Sequence, residues 1–257
     1  MNVAAEPESA LFLNRIGGPL PAGYDRLYFG AEFCPWMLPQ PAAAVAACRA
    51  AHQLGWRFTL ATPVLAEPVL PRLRILLAAL AAEFGPGDEV LISDWGALEP
   101  VRELLPSLPV LLGRALSGQK RGPRILDLSL TAEQRAYFQR GNWYGRQASA
   151  LLGELDIARV ELDNLLQGLA PLPDGLAGSL HYPFAMVTSS RNCPFRQEPQ
   201  ATGCAARCGE VFSLQNEQTP VPLLQCGNTQ FLQNQALPAD LPALGIDRLV
   251  HHPLLPR

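Results

Sequence analysis

The sequence has little charge, few histidines and no long apolar run, and each shortage excludes a class of protein. Charged residues make up 17% of the 257 residues and the formal net charge is −3, which argues against a generally basic nucleic-acid binder. The cluster 120–124 (Lys-Arg-Gly-Pro-Arg) is a local exception, and such a cluster is more typical of a solvated loop. No stretch reaches the ~20 apolar residues of a membrane-spanning helix. We therefore expect no membrane span and no autonomous nucleic-acid binding.

The sequence also lacks the motifs of familiar hydrolases. Neither H-E-x-x-H nor G-x-S-x-G occurs, and only four histidines are present, so peptidase activity is not expected. The first residues carry Glu6 and Glu8 and have no basic stretch leading into an apolar one, so no signal peptide is expected. A cytoplasmic location follows by default. In that compartment the six cysteines are expected to be reduced thiols that bind metal, catalyse or pack.

Hydrophobic residues make up 48% of the chain, which is enough for a folded core. Short apolar runs alternate with helical patterns, and this alternation favours parallel strand pairing. The predicted helices cover residues 41–54, 69–84 and 97–105, and Thr131 with Gln134 has the pattern of a capping box for another. The predicted strands cover residues 10–16, 26–30, 56–61, 89–93, 110–114, 159–162, 179–187, 221–226 and 248–251. About eight strands predict an α/β fold: a single (β/α) barrel-like domain over residues 1–257, with an irregular cysteine-bearing loop near 191–209.

Four cysteines are placed where they can meet. Cys193, Cys204 and Cys208 lie in the irregular segment, and Cys34 follows the second predicted strand. In a parallel barrel, the loops that leave the strands emerge on one face, where active sites lie. Four thiolates suit a 4Fe–4S cluster or a structural zinc ion, and the absence of a C-x2-C knuckle favours the cluster. Unliganded thiols remain the third interpretation.

The other two cysteines have simpler interpretations. Cys48 lies on the apolar face of a predicted alanine-rich helix and is expected to pack as a small hydrophobic residue. Cys226 ends the predicted strand 221–226, and is expected either to pack there or to replace one of the four ligands.

Charged residues at predicted strand ends are candidates for substrate contacts. Arg114 has a planar fork that suits a carboxylate, and Asp94 stands at another strand end. Glu161 and Asp163 are two residues apart, so they share one face if the strand extends to Asp163, and such a carboxylate pair can work as acid and base. His181 is a candidate acid or base inside the barrel. The alternatives are a surface ion pair or helix cap for the charged residues and a satisfied core histidine for His181.

Several segments resemble the collagenase-like peptidase family, in particular its members of the UbiU/UbiV type. The stretch 29–34 (Phe-Gly-Ala-Glu-Phe-Cys) is similar to the family's motif around its first cysteine, and Cys204-Ala-Ala-Arg-Cys208 after Cys193 is similar to its C…C-x-x-R-C segment. Residues 54–62, 90–98 and 245–250 resemble further family strands in the same order. The family's basic run after the first cysteine is replaced by Pro-Trp-Met-Leu at 35–38.

This resemblance implies a barrel and a 4Fe–4S cluster held by Cys34, Cys193, Cys204 and Cys208. It also implies a role in O2-independent hydroxylation of an aromatic or prenylated ubiquinone precursor, in a heterodimer with a UbiU-like partner. Two alternatives stay open. One is a non-catalytic cluster-binding subunit that stabilises its partner, and the other is a factor for hydroxylation of tRNA or rRNA bases.

Overall fold

The computed structural model describes residues 6–196, 203–206, 208–217 and 219–256. The strands of these residues are, in chain order, β1 (Glu8–Leu13), β2 (Arg26–Gly30), β3 (Arg57–Thr62), β4 (Glu89–Ile92), β5 (Val110–Leu112), β6 (Arg159–Asp163), β7 (Ala177–Tyr182), β8 (Phe184–Ser189), β9 (Phe212–Asn216), β10 (Thr219–Cys226), β11 (Thr229–Gln233) and β12 (Ile246–His251). The helices are α1 (Pro41–Gln53), α2 (Leu70–Leu80), α3 (Leu98–Leu104), α4 (Ala132–Phe138) and α5 (Arg146–Glu154).

Eight parallel strands close into a barrel in the order β1-β12-β7-β6-β5-β4-β3-β2. The predicted (β/α) barrel-like fold is therefore confirmed. Helices follow four of the strands, and the connections from β1 to β2 and from β6 to β7 contain no α-helix in the described residues. The capping box predicted at Thr131 is present: its hydroxyl accepts the Gln134 N–H and the Gln134 side chain accepts the Thr131 N–H.

The core has two layers because a barrel strand is buried on both faces. Outside the barrel, α2 buries Leu73, Leu76, Leu77 and Leu80 at helical spacing against the strands. Burying each leucine contributes about 1.5–3 kcal/mol. Inside the barrel, a smaller apolar cluster is formed by Ala10, Phe12, Tyr28, Ala61, Leu91, Leu111 and Val250.

A second sheet, antiparallel in the order β8-β11-β10-β9, lies at the carboxyl end of the barrel. The prediction of one strand over 179–187 was wrong, because Pro183 has no N–H for a ladder and the chain divides there into β7 and β8. The predicted strand 221–226 exists within β10, but it belongs to this second sheet. Of the irregular segment near 191–209, residues 197–202 and Arg207 lie outside the described residues, and the remainder contains no helix or strand.

Parallel strands place the loops after β2, β5 and β6 at one end of the barrel, and the second sheet packs over them. The Met186 N–H of β8 donates to Asp163 at the end of β6, at 2.8 Å. The Arg114 side chain, which follows β5, donates to the Phe184 carbonyl at 3.2 Å. Among the described residues, none of the helices is both long enough and apolar enough to cross a lipid bilayer.

Candidate functional site: the cysteine cavity and the polar barrel interior

The four cysteines of the predicted site line one cavity of about 480 Å³ at the carboxyl end of the barrel. Apolar side chains that share this cavity are Phe33, Trp36, Met37, Leu65, Met186 and Phe195. All six cysteines of the chain are free thiols. The structure thus brings together Cys34 and the three cysteines that lie 159 to 174 residues later in the sequence.

The position of Cys34 is fixed by the backbone before it. Gly30 has φ of +140°, and a Cβ at this position would lie 2.1 Å from the Ala61 carbonyl oxygen, so only glycine fits. Phe33 then packs against Phe231 of the second sheet, with their ring centroids 5.6 Å apart. Cys34 itself precedes a short 3-10 turn, Pro35–Met37.

Asn228 ties the Cys34 loop to the segment that carries Cys193. Its side-chain amide donates to the Phe33 carbonyl at 2.9 Å and to the Ser190 carbonyl, also at 2.9 Å. One amide therefore bridges the residue before Cys34 and a residue close to Cys193. The sequence does not predict this role of Asn228, because its two partners lie far from it along the chain.

The backbone of Ala206 makes hydrogen bonds with two of the cysteine sulfurs. Ala206 has φ of +53°, which is uncommon for a residue with a side chain. This conformation directs the Ala206 N–H to the Cys204 sulfur at 3.3 Å, and the Cys208 thiol donates to the Ala206 carbonyl at 3.3 Å. Backbone N–H groups that donate to cysteine sulfur stabilise thiolates and tune the potentials of iron–sulfur clusters.

The thiols are electrostatically coupled. The pKa of Cys34 is raised to about 11, mainly by burial; the Trp36 N–H opposes this rise, and the other three cysteines contribute to it. The bare thiol is therefore protonated at neutral pH, and binding of a metal centre must displace the proton. The positive side chains of Arg191 and Arg196 also line the cavity. Arg207, the third arginine near these cysteines, lies outside the described residues.

The spacing of the sulfurs bears on which metal centre fits. Among the described residues, the triplets whose ligand atoms lie within 4.8 Å of one another are Glu32–His181–His252 and Cys48–His52–Asp88, and neither contains one of the four cysteines. A tetrahedral zinc ion with Zn–S bonds of about 2.3 Å would hold its sulfurs about 3.8 Å apart. No three of the four cysteine sulfurs therefore lie within 4.8 Å of one another, and a 4Fe–4S cluster, in which each cysteine binds a different iron, holds its sulfurs farther apart than one zinc ion does.

Cys226 and Cys48 are buried and are not part of the cavity lining. Cys226 packs with Phe33, Met186 and Phe231 in an apolar cluster under the second sheet, and its neighbour Gly227 lines the cavity. The position agrees with the packing interpretation and keeps Cys226 close to the site.

Cys48 is fully buried on α1, as the packing interpretation requires, but it also touches a histidine. Its sulfur lies 3.9 Å from His52 Nε2, and the same nitrogen lies 2.9 Å from Asp88 Oδ2. The pKa of Cys48 is raised to about 12, mainly by burial, with contributions from the Asp88 and Glu83 carboxylates. Because the thiolate is the nucleophile, this triplet does not provide an activated cysteine at neutral pH.

Arg114 binds carboxylates of the protein itself. Its side chain is fully buried; it forms an ion pair with Glu32 and another with Asp163 at 3.0 Å. Asp163 also accepts from Arg121 at 2.7 Å. Burial alone would raise the pKa of Asp163, but Arg121 and Arg114 hold it below its usual range. This arrangement favours a structural ion pair over a substrate-carboxylate contact.

Glu161 and His181 face each other inside the barrel. Glu161 Oε2 lies 2.6 Å from His181 Nε2, and His181 Nδ1 lies 2.7 Å from His252 Nε2. Burial raises the pKa of Glu161 to about 7 and lowers that of His181 to about 3. The strand periodicity predicted correctly that Glu161 and Asp163 lie on one face, but each carboxylate has different partners.

Asp94 has the geometry of a helix cap. Its Oδ1 accepts the Gly96 N–H at 2.8 Å, and its Oδ2 accepts the Leu65 N–H at 3.1 Å. The carboxylate thereby links the turn after β4 to the loop after β3. This geometry favours the cap over a substrate contact, although Leu65 itself lines the cysteine cavity.

Sequence reasoning missed Glu32, His252 and the ion network at the amino end of the barrel. In that network Arg26 and Arg248 pair with Glu8 and Glu89 at 2.5–3.0 Å. Ion pairs at this end of a barrel serve stability. The alternation of side chains along a strand could have predicted part of this network. Arg26 and Tyr28 are two residues apart in β2 and therefore share the interior face.

No family model, curated protein or solved structure matches the chain. The resemblance to the collagenase-like peptidase family therefore stays a prediction, and the geometry of the cavity has to support any function.

Proposed function

We propose that the chain binds a 4Fe–4S cluster through Cys34, Cys193, Cys204 and Cys208. The observation that carries this proposal is that four free thiols, from two distant parts of the sequence, line one cavity. Four soft thiolates in an irregular loop environment are the ligand set of such a cluster. The chemistry that a bound cluster supplies is the transfer of single electrons.

The residues around the thiols fit this role. Phe33, Trp36 and Met186 give the cavity an apolar wall, and an apolar wall limits solvent access to a cluster and influences its potential. Arg191 and Arg196 offset the negative charge of the thiolates, and the Ala206 N–H donates to Cys204. In the proposal these residues limit the access of solvent to the cluster and balance its negative charge.

In this proposal the protein takes part in O2-independent hydroxylation of an aromatic ubiquinone precursor, in the cytoplasm and beside a UbiU-like partner. The support for the reaction is the resemblance at residues 29–34 and 204–208. The support for the compartment is the six free thiols, which suit a reducing environment.

The experiment is anaerobic purification of the wild type and of single Cys→Ser variants, followed by measurement of iron, acid-labile sulfide and visible absorbance. Each change at Cys34, Cys193, Cys204 or Cys208 is expected to lower iron and sulfide severalfold. Cys48→Ser and Cys226→Ser are matched controls and should keep both. A wild type without iron after reconstitution, or with one zinc ion per chain, would overturn the proposal. Loss of iron in Cys226→Ser would assign Cys226 as a ligand.

A second candidate is a non-catalytic subunit that holds a cluster and stabilises its partner. The observation that favours it is the segment 35–38, where the family has a basic run: here Pro35–Met37 forms an apolar turn in the cavity wall. Hydroxylation by the isolated chain would contradict this candidate. Activity only in a co-purified complex would support it.

The basic cluster 120–124 does not favour RNA-base hydroxylation. Lys120 Nζ lies 4.4 Å from the Tyr137 ring centroid and donates to the Arg140 carbonyl. Arg121 forms an ion pair with buried Asp163. Two of the three cationic side chains therefore bind groups of the protein itself.

A further inference from the structure

A second cavity, of about 760 Å³, adjoins the cysteine cavity at Cys208. Met37, Ala206 and Cys208 line both this cavity and the cysteine cavity. Its other walls are largely apolar, and its volume is within the range of small-molecule sites. The imidazole of His252 lines the cavity. The exposed side chain of Arg15 also lines it and forms no ion pair with a described residue.

His252 connects this cavity to the barrel interior. The chain of contacts runs from His252 Nε2 to His181 Nδ1 at 2.7 Å, and from His181 Nε2 to Glu161 Oε2 at 2.6 Å. Glu161 Oε1 in turn accepts from the Tyr28 hydroxyl at 3.2 Å. The remaining nitrogen, His252 Nδ1, has no hydrogen-bond partner among the described residues.

These distances permit two complete sets of hydrogen bonds. With Glu161 protonated, its O–H donates to His181 Nε2, His181 Nδ1–H donates to His252 Nε2, and His252 carries a proton on Nδ1. With Glu161 ionised, every bond reverses: His252 Nε2–H donates to His181 Nδ1, His181 Nε2–H donates to Glu161, and His252 Nδ1 is an acceptor. Both imidazoles stay neutral in both sets.

The surroundings favour neutral imidazoles and a carboxyl group that exchanges a proton. Burial raises the pKa of Glu161 to about 7 and lowers that of His181 to about 3, and it holds the pKa of His252 well below its usual value. The charged or titratable groups around Glu161 are Tyr28, Glu89, Arg159 and Arg248. Those around the two histidines are Glu32, Arg114, Asp163, Arg248 and His251.

We propose that Glu161, His181 and His252 form a proton relay, and that it exchanges one proton with the hydroxyl of an aromatic substrate bound in the second cavity. In the step, the substrate O–H bond breaks and His252 Nδ1 takes the proton. The proton on His252 Nε2 moves to His181 Nδ1, and the proton on His181 Nε2 moves to Glu161. The products are a phenolate in the cavity and a neutral carboxyl group in the barrel. The use of this exchange in hydroxylation rests on the function proposed above.

The cavity fits this class of ligand. His252 stacks on Phe12 with ring centroids 4.6 Å apart, so the last histidine of the relay lies against an aromatic ring that also lines the cavity. Phe184 and Leu254 add apolar wall, and Arg15 supplies a positive charge for an oxyanion or an acidic substituent.

Glu32, His181 and His252 also bring their ligand atoms within 4.8 Å of one another, as a two-histidine, one-carboxylate metal site does. In this structure, however, Glu32 is paired with Arg114, whose buried positive charge opposes a second cation. The relay satisfies the buried atoms of Glu161 and His181 without a metal, so the geometry favours the relay.

The test uses Glu161→Gln, because the glutamine amide donates to His181 Nε2 and fixes His252 Nδ1 as a donor. The probes are para-propylphenol, which donates and accepts, and para-propylanisole, which only accepts. In the wild type, the anisole should bind about three- to tenfold more weakly at about pH 8 than at about pH 6, while the phenol keeps its affinity. In Glu161→Gln the anisole affinity should not depend on pH. Glu103→Gln, an exposed carboxylate, is the matched control.

A second readout is the histidine tautomer, followed by nitrogen NMR. The proton of His252 should move from Nδ1 to Nε2 as the pH rises through about 7 in the wild type, and it should stay on Nδ1 in Glu161→Gln. An unchanged wild-type tautomer, or equal anisole binding at both pH values, would overturn the relay. The relay would also be overturned if the wild type held iron or zinc in excess of the amount in the cluster and if His181→Gln lost this excess. Iron content measured in the same samples reports on the cluster separately.

Discussion

Replacing Arg114 by methionine tests whether the polar barrel interior is built around internal ion pairs. Methionine keeps a long unbranched side chain but removes the guanidinium. Among the described residues, the hydrogen bonds to the Glu32 carboxylate all come from Arg114, whereas Asp163 keeps Arg121 and the Met186 N–H. The substitution therefore leaves one carboxylate buried and unpaired. Removal of one partner of a buried pair costs about 3–5 kcal/mol.

Arg74→Met is the matched control, because it removes the same group from an exposed pair. Arg74 and Glu103 lie 2.6 Å apart with side chains 43% and 55% exposed. Exposed pairs contribute about 0–1 kcal/mol, so this variant should be nearly as stable as the wild type. Adding Glu32→Gln to Arg114→Met removes the unpaired charge and should restore about 1–3 kcal/mol.

The assay is urea unfolding followed by circular dichroism, with the free energy extrapolated to water. If Arg114→Met loses less than about 1 kcal/mol, or no more than Arg74→Met, the reasoning fails. The guanidinium would then not be needed by Glu32, and it would be available for a substrate carboxylate, as the sequence first indicated.

Three further changes address the relay and the cysteine cavity. Burial raises the pKa of Glu161 from 4.5 to about 7, so between these pH values the folded state keeps a proton that the unfolded state has lost. The wild-type protein is therefore most stable, with respect to this group, below about pH 4.5, and it loses that stability as the pH rises through 7. Relative to Glu161→Gln, the wild type should thus lose about 3 kcal/mol over this range in urea unfolding, and a constant difference would contradict the shift. Gly30→Ala places a Cβ 2.1 Å from the Ala61 carbonyl and should cost at least about 1–3 kcal/mol, whereas Gly17→Ala, with open space around it, should be neutral in the same assay. Asn228→Ala leaves the Phe33 and Ser190 carbonyls without its amide and should cost about 1–3 kcal/mol and lower the iron content; full iron occupancy would show that the bridge is not needed.

The barrel was predictable because its signals are local. The stretch Arg26–Gly30 is a short apolar run, and the region before Arg57 has the alanine-rich pattern of a helix. Alternating elements of this kind favour a parallel sheet, and parallel strands fix which end of the barrel carries the loops. The placement of Cys34 at that end follows from its position after β2.

The second sheet was not predictable in the same way. β9 and β11 were not recognised, because strands such as Thr229–Gln233 contain polar residues and are stabilised by antiparallel partners elsewhere in the chain. Arg114 shows the same limit for a single side chain. Its residue type suggested a carboxylate contact, but the carboxylate is Glu32, 82 residues away, and no local pattern gives that partner.

The second sheet is what completes the cysteine cavity. Cys193 follows β8, which is not a barrel strand, so the parallel barrel alone does not bring it to Cys34. β8 pairs with β11, and the turn before β11 carries Asn228, whose amide reaches the residue before Cys34. Phe33 packs on Phe231 of the same strand. Packing of the sheet on the barrel therefore brings Cys193 towards Cys34, and a change that detaches the sheet should separate these two thiols before it unfolds the barrel.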